Sequence, residues 1–368
     1  PLYSSAASDV YKRQIIYFVN SYMNRIIIIG NGFDKAHGLA TGYRDFIDSY
    51  WINVSGHIFN GYKRWLAEHW GSIIDPTPYE DEFVLFEVFR DKQYKTPEPS
   101  YPQSDSTPYD EVRWLTAMFN DGTNIRYEGS VRLTFKNKFF EHISDRCSLY
   151  NWVDVENEYY GKLKELLAEN DAFIRNEKVR MLNQEFDIVK KRLEIYLTEV
   201  SQKTQTTSFP SIQEAFDSII DPNEVAYGKQ TDVFHSITDQ LRQSDFTEGR
   251  WFRMRVYMDN LLCRFKGKPR QHYVQNQLKY DVFKKKYYTP AQTLILNFNY
   301  TSTAEHFYAG EGYEIINIHG QLNNERNPII FGYGDELDDD YKRIEKLQDN
   351  DFLENIKSCL LYTSDAAD

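Results

Sequence analysis

RIIIIGNGFD, residues 25–34, is the stretch that decides the fold. Four consecutive isoleucines with no polar alternation predict an interior strand, buried on both faces of a parallel sheet. Gly30 and Gly32 follow at once, and beyond them Tyr43, Phe46, Ile47 and Tyr50 recur at helical spacing. Strand, glycine turn and helix in that order is the setting in which backbone N–H groups cradle phosphate. Gly30, Asn31, Gly32, Phe33 and Asp34 are therefore read as a nucleotide-binding segment. A plain tight turn uses the same glycines, and Asp34 suits either a helix cap or a hydrogen bond to a ribose hydroxyl. No GKS or GKT follows the glycines, which argues against a P-loop.

Sheet signals return near the end of the chain, at Thr293–Phe298, Ile315–Ile318 and Pro328–Phe331, with a short helix over Thr303–Tyr308. Each of these strands runs into a polar or glycine turn, where open α/β sheets bind ligands. Asn299 follows the first, suited to orient a water or a sugar hydroxyl, with Thr301 beside it; an Asx-turn and a helix cap are the structural alternatives. His319 and Gly320 end the second, and the glycine is expected to leave space beside an imidazole suited to general-base work. Gly332, Gly334 and Asp335 form a further close-approach loop after the third.

Between these halves the pattern is helical. Trp152, Val155, Tyr159, Leu163 and Leu166, then Val179, Leu182, Phe186, Val189, Leu193 and Leu197, step by three and four. Further helix is expected over 212–220, 233–241 and 251–265, whereas Lys95–Asp110, with four prolines, reads as a surface loop. Asn151 with Asp154 looks like an N-cap and capping box. Glu156 falls on the apolar face with Trp152, where a carboxylate needs a salt-bridge partner or a ligand.

The expected fold is α/β, a Rossmann-like parallel sheet split by a large, mostly helical insertion. Residues 23–60 and 290–357 form the core and 61–289 the insertion. Residues 1–22 and 358–368 read as junction sequence, with Met23 as the start and the native C-terminus missing. A net charge of −12 argues against nonspecific nucleic-acid or anionic-membrane binding. Three cysteines with no CxxC pair fit a reducing cytoplasm and no zinc ribbon. No apolar run approaches the roughly 20 residues of a spanning helix.

GNGFDKAHGLATGYRDF at 30–46, WVDVENEYY at 152–160, LNFNYT at 296–301, INIHGQLNNE at 316–325 and IIFGYGDE at 329–336 together resemble the AbiH family of bacteriophage abortive-infection proteins. The resemblance implies a role in antiphage defence. That family looks distantly similar to sirtuin-like NAD-binding proteins, whose glycine loop, Asn and His are matched by Gly30–Asp34, Asn299 and His319. Sirtuin deacylases carry a four-cysteine zinc module that this chain lacks, so NAD cleavage is expected ahead of deacylation, with NAD as substrate or ligand and no metal. The alternative is a nucleotide-sensing or partner-binding toxin module, acting through homo-oligomerisation or a phage-derived trigger. A nuclease using Asp154, Glu156 and Asp335 on a metal is a further reading that their spacing does not specify.

Overall fold

The computed structural model describes residues 24–59, 76–92, 106–121, 128–150, 153–203, 207–221, 226, 228–229, 289–310, 312–331 and 338–356. Two compact units emerge, one of residues up to 30 with 207–298 and 302–317, the other of 31–206, 299–301 and 318 onward.

The first unit holds the parallel sheet. β1 (Asn24–Ile29) pairs with β5 (Gln292–Asn297), and β5 with β6 (Tyr313–Asn317), giving the order β1-β5-β6. Ile27 lies opposite Ile295 and Ile29 opposite Asn297, while Asn297 is level with Asn317. The mixed α/β class and the parallel sheet agree with expectation; the strand's surroundings do not. Successive side chains point to opposite faces, and Ile26 and Ile28 are 63% and 69% exposed. Among the described residues β1 is an edge strand with an uncovered face, whereas the isoleucine run predicts an interior strand covered on both. The helix α8 (Thr303–Tyr308) falls on the expected residues, and α7 (Pro210–Asp217) is shorter than its apolar spacing suggested.

The second unit begins at α1 (Asn31–Ala36), so Gly30 alone links strand to helix and no extended glycine loop forms. Then come α2 (Tyr43–Ile58), β2 (Tyr79–Glu80), β3 (Val84–Phe89), α3 (Pro108–Asp121), β4 (Ser130–Phe135), α4 (Lys138–Tyr150), α5 (Val155–Leu166), α6 (Ala172–Lys203), α9 (Asp339–Leu347) and α10 (Asn350–Leu353). The antiparallel sheet β2-β3-β4 lies in the stretch read as helical. Helix α3 starts where the proline-rich loop was expected to continue. Pro108 needs no N–H at the first helical position, and Thr107 and Asp110 cap the turn, the Thr107 N–H donating to Asp110 at 2.9 Å.

An aromatic core fills this unit. Phe83 stacks on Phe140 at 4.0 Å between ring centroids, and Trp51 donates to the Ser144 hydroxyl at 3.1 Å. On α6 the six predicted positions from Val179 to Leu197 are all buried. Asn183 and Lys190 of α6 donate to the Asp351 carbonyl and the Asn355 side chain at 2.7 and 2.6 Å, tying the 350–356 segment to that helix.

Two further expectations change here. Residues 328–331 form no strand; Pro328 has no N–H for a ladder, and Ile330 makes one backbone bond, to the His319 carbonyl at 2.9 Å. Asp154, not Asn151, is the N-cap of α5, accepting from the Asn157 N–H at 3.1 Å. Trp152, the helices expected at 233–241 and 251–265, and Gly332, Gly334 and Asp335 lie outside the described residues.

Candidate functional site

Asn31–Ala36, the turn 299–301, residues 319–331 and the side chains of Tyr43 and Glu156 all lie in the second unit, which Gly30 precedes in the chain. Gly30 and Gly32 are exposed, their φ angles are not positive, and a Cβ placed on either meets nothing within 4 Å. Neither backbone strain nor internal packing calls for glycine there. Asn31 is exposed and accepts from the Thr41 hydroxyl at 2.6 Å. Phe33 packs on His37 at 4.5 Å, and the His37 Nδ1 lies 2.7 Å from the Phe33 carbonyl, which closes α1.

Asp34 points inward and is 1% exposed. Thr301 lies 2.8 Å from both oxygens of its carboxylate. A single hydroxyl proton is thus shared across the carboxylate, joining the glycine segment to the turn after β5. That turn is Asn299-Tyr300-Thr301. Asn299 is buried, 5% exposed. Tyr300 is held by its own carbonyl, which accepts from Leu322 N–H at 2.9 Å.

The Tyr300 side chain runs to Glu156. Its hydroxyl and that of Tyr43, from α2, donate to the same carboxylate oxygen, Oε1, at 3.2 and 2.9 Å. Burial, with the nearby Asp154 charge adding to it, pushes Glu156 up to about 7, while the two tyrosine bonds pull the other way. Burial and the Glu156 charge in turn hold both tyrosines well above the usual phenol range. The apolar position of Glu156 is legible in the sequence. Its partners are not, since a tyrosine hydroxyl gives no spacing signal, and the salt bridge expected as the plain alternative is replaced by two phenols.

On the other side of Tyr300 its ring meets Phe331 at 5.0 Å and His319 at 6.1 Å. His319 is half-buried, and burial alone lowers its pKa, so the imidazole is neutral at pH 7 and able to accept a proton. Gly320 corrects one expectation. Its φ is +76°, and a Cβ there would lie 2.1 Å from the Pro328 carbonyl oxygen. The space beside His319 is filled by the chain itself.

The sequence-predicted residues Asp34 and Thr301 are thus in contact, and His319 and Glu156 meet the two sides of one tyrosine. Over residues 26–364 the chain matches the family model for bacteriophage abortive infection AbiH. The chain belongs to the AbiH family. No curated protein and no solved structure matches it. The motifs that carried the resemblance in the sequence include the segments that build the Asp34–Thr301 and Glu156–Tyr300–His319 contacts of this AbiH chain. Among the described residues no group of three or more His, Cys, Asp or Glu is placed to hold a metal ion, and no helix is long and apolar enough to cross a membrane. A separate cleft of about 210 Å³ is lined by Lys138, Lys162 and Lys178 among others, and each of these lysines is already paired with a glutamate.

The raised Glu156 group sets a pH dependence. A carboxyl that holds its proton more tightly when folded stabilises the fold at low pH, and that stability is lost as pH rises from its ordinary value through about 7. At 1.36 kcal/mol per unit the full loss is about 3 kcal/mol. Urea unfolding at pH 5 and pH 8 is expected to show it, and Glu156→Gln, which keeps an acceptor for both phenols, to remove that part of the slope. An unchanged slope in the variant would show that Glu156 titrates normally.

Proposed function

We propose that this AbiH protein acts in abortive infection by binding a nucleotide, with NAD as the favoured ligand, and by hydrolysing it. The segment Gly30–Asp34 would take the pyrophosphate, with the unobstructed backbone at Gly30 and Gly32 allowing close approach. Asn299, next to the tyrosine that bridges Glu156 and His319, would position the ribose or the attacking water. In the hydrolysis the bond from the ribose carbon to the nicotinamide nitrogen breaks, and nicotinamide leaves with the bonding electrons. Water adds to the resulting oxocarbenium-like carbon and its proton passes to His319.

The observation that carries this reading is the Thr301 hydroxyl on both oxygens of Asp34. It ties the turn bearing Asn299 to the glycine segment, and Tyr300 in that same turn touches His319. The Rossmann-like or sirtuin-like form of the sheet belongs to this proposal too, resting on the parallel order β1-β5-β6.

NAD measured in bacteria expressing the protein, before and after phage infection, is expected to fall on infection and to hold steady in cells without it. Calorimetry with ADP-ribose is expected to show binding. Binding with no NAD loss would favour a sensing module that acts through oligomers or a second protein. Neither binding nor loss would end the nucleotide reading.

A further inference from the structure

Glu156 has an anomaly that the proposed reaction does not use. Its Oε1 accepts two phenol protons, while no described residue donates to Oε2. No described lysine, arginine or histidine neutralises it; the charge that acts on it is the like charge of Asp154. The residue keeps an accessible edge. Around it stand aromatic rings, Tyr43 and Tyr300 at its Oε1 and Phe331 against Tyr300. A partly desolvated carboxylate without a cation is costly unless something positive completes it, and a delocalised cation, more weakly hydrated than a compact one, is the easier of the two to bring there.

We infer that Glu156, framed by Tyr43 and Tyr300, recognises the positively charged ring of an oxidised nicotinamide nucleotide, so that the site takes the oxidised cofactor and discriminates against the reduced one. This rests on the nucleotide reading above. The two forms differ at the ring, which is a pyridinium in one and neutral in the other, so a carboxylate is a direct means of telling them apart. The ring loses its charge when nicotinamide departs with the bonding electrons. Glu156 therefore holds the substrate and releases the product, and it is a specificity-determining residue with no part in proton transfer.

The test is calorimetry with NAD+, NADH and ADP-ribose on the full chain and on Glu156→Gln, both in a His319→Ala background so that NAD+ persists during titration. The chain is expected to prefer NAD+ over NADH about 10-fold. In Glu156→Gln that preference falls to within about 2-fold, with ADP-ribose affinity unchanged. The preference should also grow between pH 6.5 and 8.5 as Glu156 ionises. The phenols facing it, Tyr43 and Tyr300, stay protonated over that range. ADP-ribose binding with equal affinities for NAD+ and NADH would overturn the inference and leave the nucleotide reading standing. No binding of any of the three would overturn both.

Discussion

His319→Ala is expected to slow the proposed NAD hydrolysis by about 10²–10⁴-fold, the usual contribution of a positioned general base. The imidazole is neutral at pH 7 because burial disfavours its charged form, and its ring lies against the tyrosine between Asn299 and Thr301. The substitution removes that ring contact, at a cost of about 1 kcal/mol. The backbone bond from Ile330 to the His319 carbonyl is untouched. Turnover should therefore collapse while thermal unfolding shifts by only a few degrees. Initial rates of nicotinamide release, read beside circular dichroism melts of the same preparations, separate the two effects. Undiminished release from a folded His319→Ala protein would remove His319 from the chemistry. Asn299→Ala is the less clean variant, because Asn299 is buried and its loss disturbs packing as well.

Gly320→Ala, one residue further on, is expected to act in the opposite way. A left-handed backbone costs a non-glycine residue about 1–2 kcal/mol. Here the added carbon would also lie 2.1 Å from one backbone atom of Pro328 and 2.6 Å from another. The return segment 328–331 must move, and Phe331, buried against Tyr300, moves with it. A loss of about 3 kcal/mol or more is expected, seen as a lower denaturant midpoint at unchanged slope. Gly30→Ala and Gly32→Ala form the contrast: with no neighbour within 4 Å, they should change stability by no more than about 1 kcal/mol while weakening ADP-ribose binding. A stable Gly320→Ala protein would mean that the loop yields at low cost.

These glycines show how far the sequence could be read. GNG after a strand and HG after another strand look alike as text, yet one pair stands in open space and the other glycine is demanded by a carbonyl eight residues away. Local pattern locates such a residue, and only the folded chain tells which atom it must accommodate. Helix α8 and the buried face of α6 were legible because their signals lie within a few turns of one helix. The sheet β2-β3-β4 was not, since Val84–Phe89 pairs with Ser130–Phe135 across a long intervening stretch with no short hairpin turn between those two strands. The same limit hid Tyr43 as a partner of Glu156, 113 positions apart. It also hid the exposed face of β1, because an isoleucine run reports its own hydrophobicity and nothing about what covers it.

The Thr301–Asp34 bond joins residues 267 positions apart. During synthesis at about 5–20 residues per second, a nascent chain carries the glycine segment for roughly 15–50 s before its partner turn is made. Throughout that interval the segment has neither Thr301 nor His319 to complete it. A copy stopped short of residue 301 therefore lacks the hydroxyl that meets the Asp34 carboxylate. The Asp34 contact thus forms only in copies whose translation has passed residue 301.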